Sequence, residues 1–192
     1  MRAMDAFETV HEFTAGHEGG LSMDRADPGN WTGGAVGKGI LRGTKYGISA
    51  AAYPTLDIAS LTLDQARAIY RVQYWDKLRC DLLPLPLALL VYDSGVNNGV
   101  GNAAKFLQRA IGADADGLIG TQTRNLLAAK LGNGSPDRVQ ALCAEFQAQR
   151  TVFMAGLSTW KSFGLGWSRR LCLLPYQAMS LTTNDNATRS AA

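Results

Sequence analysis

Residues 85–97, LPLALLVYDSGVN, are almost wholly apolar, interrupted by one carboxylate, Asp93, and one amide four residues later, Asn97. A helix that is hydrophobic all round has to be surrounded by protein. The run falls short of the roughly 20 apolar residues needed to cross a bilayer. The chain is therefore expected to wrap its other elements around a central helix over 85–97. Asp93 and Asn97 lie on one side of that helix and need partners if buried. They either reach a bound ligand and the loop beside it, or they tie neighbouring helices together.

The rest of the chain supplies helices to surround it. Residues 5–18 place Ala6, Val10, Phe13 and His17 on one face, and Gly19-Gly20 is expected to end that helix. Thr62 and Gln65 form a capping-box pattern ahead of a helix carrying Tyr74 and Trp75. Further helices are expected over 102–111, capped by Asn102, over 121–131, from Ser135-Pro136 onward, and over 165–178. Asp116-Gly117 marks a structural turn between two of them. Residues 181–192, LTTNDNATRSAA, are small and polar and read as a disordered tail. Residues 21–48 are rich in Gly, Asp, Pro and Asn, and predict a long loop or a small hairpin. Trp31, Ile40, Leu41, Tyr46 and Ile48 within it favour an ordered one. The pattern as a whole gives a mainly α fold.

Composition narrows the function. A net charge of +3 over 192 residues is too weak for nucleic-acid binding, but it suits a polyanionic surface. No apolar stretch is long enough for membrane insertion. The N-terminus carries Asp5, Glu8 and Glu12 where a signal peptide has its apolar core, so synthesis in the cytoplasm is expected. Cys80, Cys143 and Cys172 are odd in number and far apart, which predicts reduced thiols in or near the core. No metal-ligand spacing occurs, and no cofactor is expected.

The stretch HEGGLSMDRADPGNWTGG carries Glu18, one of only four glutamates. A carboxyl in apolar surroundings can act as a general acid near neutral pH. Asp27 follows nine residues on, and two carboxylates flanking a bond are the minimal equipment for glycoside hydrolysis. Thr44, in GTKYGI, could help to hold a water. Spacing alone favours a capping or turn role for Asp27 and a solvent-exposed Glu18. His17 either tunes Glu18 or packs under a cleft. Tyr74 and Trp75 either stack on sugar rings or fill the core. Lys38, Arg42 and Lys45 either attract an anionic surface or form a solvated loop.

HEGGLSMDRADPG followed by TKYGI resembles the N-terminal motif of the glycoside hydrolase 108 family of bacterial and phage N-acetylmuramidases. LTLDQARAIYRVQYWDKLRCDLLP resembles its tyrosine-tryptophan helix, and VYDSGVNNGVGNAAKFLQRAIGADADGLIGTQTRNLLA its C-terminal peptidoglycan-binding region, with a fainter echo in FGLGWSRR. Several separated motifs in the right order are more specific than any one of them.

The resemblance implies a lysozyme-like helical fold with a long glycine-rich catalytic loop. It implies cleavage of the β-1,4 bond between N-acetylmuramic acid and N-acetylglucosamine, with Glu18 as the acid and Asp27 and Thr44 on the water side. His17, Tyr46, Tyr74, Trp75, Asp93 and Asn97 are the expected substrate contacts. A catalytic region over 1–95 and a wall-binding region over 96–180 follow, in a monomer whose partner is the peptidoglycan glycan strand. A protein of this kind reaches the periplasm through a holin or dedicated export. The chain departs from the family by inserting NWTGGAVGKGILRG, residues 30–43, so Thr32 competes with Thr44. A lytic transglycosylase and a non-catalytic wall-binding protein are the alternatives.

Overall fold

The computed structural model describes residues 5–15 and 19–189, with side chains up to Leu181. Packing divides the chain into two compact units, Ala15–Val72 and a larger one formed by Met1–Thr14 with Gln73–Ala192. This division by packing differs from a functional one at residue 95, which lies inside a helix. The elements are α1 (Ala6–Ala15), β1 (Thr44–Lys45), β2 (Ile48–Ser49), α2 (Leu63–Tyr70), α3 (Leu85–Asn98), α4 (Val100–Ile111), α5 (Thr121–Leu131), α6 (Pro136–Ala155) and α7 (Trp160–Arg189). The fold is mainly α, of the lysozyme-like kind.

The larger unit is built around α3. Every residue from Pro86 to Gly95 is buried, as an all-round apolar helix requires. α4, α6 and α7 pack against it. α6 presents Val139, Leu142, Cys143, Phe146, Gln147, Arg150 and Met154 on one face at helical spacing. Phe106 of α4 meets Phe146 and Phe153 with ring centroids 6.2 and 5.1 Å apart. Between α4 and α5, the buried Gln108 holds the turn that Asp116-Gly117 predicted. Its amide donates to Asp116 Oδ1 at 2.7 Å, and its carbonyl accepts from Gly117 N at 2.8 Å. The same amide, with the Leu118 N–H, holds the exposed Asp116 carboxyl below its ordinary range.

Three local expectations shift. The buried face of α1 is Phe7, Val10 and His11, whereas Ala6 and Phe13 are exposed. Long-range partners decide this: Phe7 packs edge-on to Trp75 and Tyr92, and His11 Nδ1 shares a 2.7 Å hydrogen bond with the Tyr92 hydroxyl. The end of the helix expected at Glu18 lies outside the described residues. Asn102 does not cap α4, because the helix begins at Val100 after Gly99, whose φ is +86°. The Asn102 amide instead donates to Asn98 O at 2.8 Å. Cys80 and Cys143 are buried as expected, but Cys172 is exposed.

α7 is longer than the expected 165–178 and continues through Pro175. Leu171, Leu174, Ala178 and Leu181 keep one buried face going past the proline. A proline has no N–H, so the carbonyl four residues earlier, on Leu171, loses its helical donor. Gln147 of α6 replaces it, with Nε2 donating to Leu171 O at 2.7 Å.

The smaller unit buries Ile48, Ala50, Ile58, Leu61, Ala66 and Tyr70. Thr62 and Gln65 form the expected reciprocal capping box at the start of α2. α2 is shorter than its pattern suggested and passes into a π turn, Arg71–Trp75. β1 and β2 pair antiparallel, Thr44 with Ser49 and Lys45 with Ile48. Tyr46 and Gly47 join them at φ +51° and +72°, the left-handed pair that a two-residue hairpin turn needs.

Gln147→Leu is expected to destabilise the protein by about 1–3 kcal/mol, because it orphans a buried carbonyl. The loss should shrink in a Pro175→Ala background, where the helix supplies its own donor; denaturant unfolding of the double-mutant cycle measures it. Burial pushes the Cys143 thiol up to about 12 and the Cys80 thiol well above its usual value. At pH 8 a thiol reagent should label Cys172 alone in the folded protein and all three cysteines after unfolding. An unfolded thiol ionises near about 8.5. The stability linked to Cys143 is therefore fully present below that pH and falls as the pH rises toward about 12.

Candidate active site

The glycine-rich segment of the smaller unit is held by backbone hydrogen bonds. Asp27 caps a short 3-10 turn, Pro28–Asn30, with Oδ1 accepting from Gly29 N at 2.8 Å. Its other carboxylate oxygen has no hydrogen-bond partner among the described residues, and the side chain is exposed. The turn leads into Asn30, which is fully buried. Asn30 O accepts from both Arg42 N and Gly43 N at 3.0 Å, and its Nδ2 donates to Asp24 O at 2.9 Å. Asn30 thus fastens the turn that carries Asp27 to the strand that opens on Thr44. Its Oδ1 is buried without a partner among the described residues.

Thr44 exchanges both backbone bonds with Ser22, Ser22 N to Thr44 O at 2.8 Å and Thr44 N to Ser22 O at 3.0 Å. Gly43, next to it, has φ +85°, and a Cβ there would sit 2.5 Å from Ser22 O. Only glycine permits that approach. The half-buried Thr44 hydroxyl has no hydrogen-bond partner among the described residues. Thr32 is employed differently: its Oγ1 accepts from Ile40 N at 2.9 Å, and its N donates to Ile40 O at 3.0 Å. The inserted stretch 30–43 is thus a closed hairpin-like loop, bridged also by Trp31 and Leu41, and Thr32 is its clasp.

Tyr46 is half-buried in its left-handed turn, with Lys45 Nζ 5.2 Å from its ring centroid. Lys45 Nζ also donates to Ala59 O at 2.9 Å, and Arg42 Nη1 reaches Pro54 O at 3.3 Å. Both cations therefore brace the loop rather than standing in solvent. Glu18 and His17 lie outside the described residues. Among the described residues no cluster of His, Cys, Asp and Glu could hold a metal ion.

In the larger unit the expected substrate contacts separate. Trp75 is only 2% exposed and packs against Phe7 and Tyr92, so it has no face for a sugar ring. Tyr74 is half-buried. Asp93 takes the structural alternative, because its carboxylate is fully buried and completely occupied. Oδ1 accepts from Arg150 Nη1 at 2.8 Å and Arg170 Nε at 3.2 Å, and Oδ2 from Arg170 Nε at 3.0 Å and Arg170 Nη2. Arg170 Nη2 also donates to Thr14 O at 3.2 Å, near the end of α1. Burial pushes the Arg150 guanidinium below its ordinary value, with Asp93 opposing that shift. Asn97 is exposed, and its side chain turns back to Asp93 O at 2.8 Å.

Residues 11–99 match the model of a glycosyl hydrolase family, Glycosyl hydrolase 108. Over these residues the chain is similar to that family. The match spans the glycine-rich segment, Glu18, Asp27, Thr44 and the whole of α3. Among solved structures the chain is similar to "Structure of Brucella abortus SagA", at 26% identity and a TM-score of 0.70, covering 91% of this chain and 94% of that one. No curated protein sequence matches. The likeness to the glycosyl hydrolase 108 family supports a glycoside hydrolase of the peptidoglycan-degrading kind.

Three residues that matter here escaped the sequence reading. Asn30 was hidden inside an apparent turn signal. Arg150 and Arg170 sat on helices with no visible acidic partner nearby, because Asp93 is 57 and 77 residues away. Asp93→Asn should cost about 3–5 kcal/mol, since it leaves a buried guanidinium without its counter-charge. Arg170→Ala should cost less, its side chain being 37% exposed. Thermal and denaturant unfolding check both; a sugar-contact role for Asp93 would instead raise KM at unchanged stability.

Proposed function

We propose that this protein is an N-acetylmuramidase that cleaves the β-1,4 bond between N-acetylmuramic acid and N-acetylglucosamine in peptidoglycan. The observation that carries the reading is the family match, which encloses Glu18 in its Glu-Gly-Gly setting together with Asp27 and Thr44. Glu18 acts as general acid and protonates the leaving glycosidic oxygen. Asp27 and Thr44 stand on the water side. In support, Asp27 has one oxygen fixed by Gly29 N and one left to take a proton from water or orient it. The Thr44 hydroxyl is uncommitted among the described residues, whereas that of Thr32 closes the inserted loop, which favours Thr44 for the role. Carboxyl groups about 6.5–9.5 Å apart would invert the anomeric centre, and groups about 5–5.5 Å apart would retain it.

One observation favours a second reading. The cap made by Asp27 gives that carboxylate a structural employment, and a lytic transglycosylase needs only the one acid. That enzyme would close an anhydro ring instead of admitting water.

Glu18→Gln should lower the release of reducing ends from purified peptidoglycan by about 10²–10⁴-fold while the protein stays folded. Undiminished release would remove Glu18 as the acid. Asp27→Asn should lower the rate by at least about tenfold. A near-neutral result, with anhydro-muropeptides in the mass spectrum, would replace hydrolysis by the transglycosylase reaction.

A further inference from the structure

The outer side of α7 has no role in the chemistry above, and its composition is unusual for a solvated surface. Leu165, Leu173 and Tyr176 are 69%, 59% and 78% exposed. Leu165, Cys172, Tyr176 and Met179 follow one another at i, i+7, i+11 and i+14, which places them on one stripe of the helix, with Leu173 beside it. Met179 and Cys172 are exposed as well. From Trp160 to Leu181 the helix contains Lys161, Arg169 and Arg170 but no Asp or Glu. Arg170 is turned inward to Asp93, so Lys161 and Arg169 are the cations left to the outside.

A second feature adjoins the stripe. Cys143 and Ala144 of α6 line, with Pro175, Tyr176, Ala178 and Met179 of α7, a mainly apolar groove of about 210 Å³. The carboxylate of Glu145, next to it in sequence on α6, is engaged by Gln149 Nε2 at 2.9 Å.

We infer that this face of α7 is a docking surface for an anionic lipid bilayer, on which the folded protein lies without crossing it. Apolar side chains flanked by Lys and Arg, with no carboxylate among them, are the composition of helices that settle at a headgroup–acyl boundary. Tyrosine suits that boundary, with a ring for the apolar side and a hydroxyl for the wet side. The charge pattern chooses between occupants. An anionic leaflet meets both Lys161 and Arg169 with opposite charge, whereas the stripe carries no carboxylate with which a second copy of the same helix face could pair them. No helix is long and apolar enough to cross a membrane among the described residues, which matches a surface-lying mode. The inference does not depend on the hydrolytic reading, because α7 carries none of the residues named there.

The test is sedimentation of the full chain with vesicles of phosphatidylglycerol and phosphatidylethanolamine, and with vesicles of phosphatidylcholine, in the absence of peptidoglycan. Binding is expected to the anionic vesicles and to weaken with salt. Leu173→Asp and Tyr176→Asp should each weaken it about tenfold. Lys161→Gln with Arg169→Gln should weaken it about thirtyfold. These positions are exposed, and unchanged thermal unfolding verifies that each variant is folded. Absence of binding to anionic vesicles overturns the proposal, as does equal binding to both vesicle types. A dimer in sedimentation equilibrium that Leu173→Asp dissolves, without vesicle binding, assigns the face to a second copy and also overturns it.

Discussion

The Asp93 carboxylate, sealed inside an otherwise apolar helix, sets how the larger unit is assembled. A charge taken out of water costs several kcal/mol unless it is paired and its hydrogen-bonding capacity is filled. Asp93 meets both conditions with two guanidinium groups, one from α6 and one from α7. Arg170 then reaches the carbonyl of Thr14, and Arg150 Nε reaches Asn98 at 2.8 Å. One carboxylate therefore fixes the register of α3, α6 and α7 and ties the end of α1 to them. Apolar packing supplies most of the free energy, but it is non-directional and tolerates sliding. A buried ion network is directional, and here it selects one arrangement. Its cost is visible at Arg150 Nη2, which is buried without a partner among the described residues.

The smaller unit solves a different problem. Residues 19–61 contain little regular structure, so their order comes from backbone bonds and from glycines placed where the chain doubles back. Gly43 lies against Ser22 O, and a Cβ on Gly47 would meet the Tyr70 hydroxyl at 2.2 Å. Asn30 joins the two sides of the loop from a fully buried position. Such a construction holds polar side chains in fixed directions without a core beneath each of them. Backbone geometry thereby sets the positions of the exposed Asp27 carboxylate and the half-buried Thr44.

Much of this was legible in the sequence for identifiable reasons. The burial of α3 follows from its almost wholly apolar run, the start of α2 from the Thr62–Gln65 box, and the α4–α5 turn from Asp116-Gly117, because each signal is written in consecutive residues. The readings that shifted depended on distant partners. The face of α1 rotates to Phe7 and His11 because Trp75 and Tyr92 lie there to receive them. Trp75 belongs to the core for the same reason. The continuation of α7 through Pro175 needed a donor from Gln147, 24 residues away from the carbonyl it serves.

What the sequence by itself determined is the mainly α class, the central helix and the family that residues 11–99 resemble, because periodicity, caps and ordered motifs are written in consecutive residues. What only the tertiary structure decided is the employment of each polar side chain. The sequence leaned toward a cleft role for Asp93 over one that ties helices together, and Thr32 competed with Thr44. The choice depends on which groups lie within hydrogen-bond reach, about 3 Å. Distances of that kind between residues far apart in the chain exist only once it has folded.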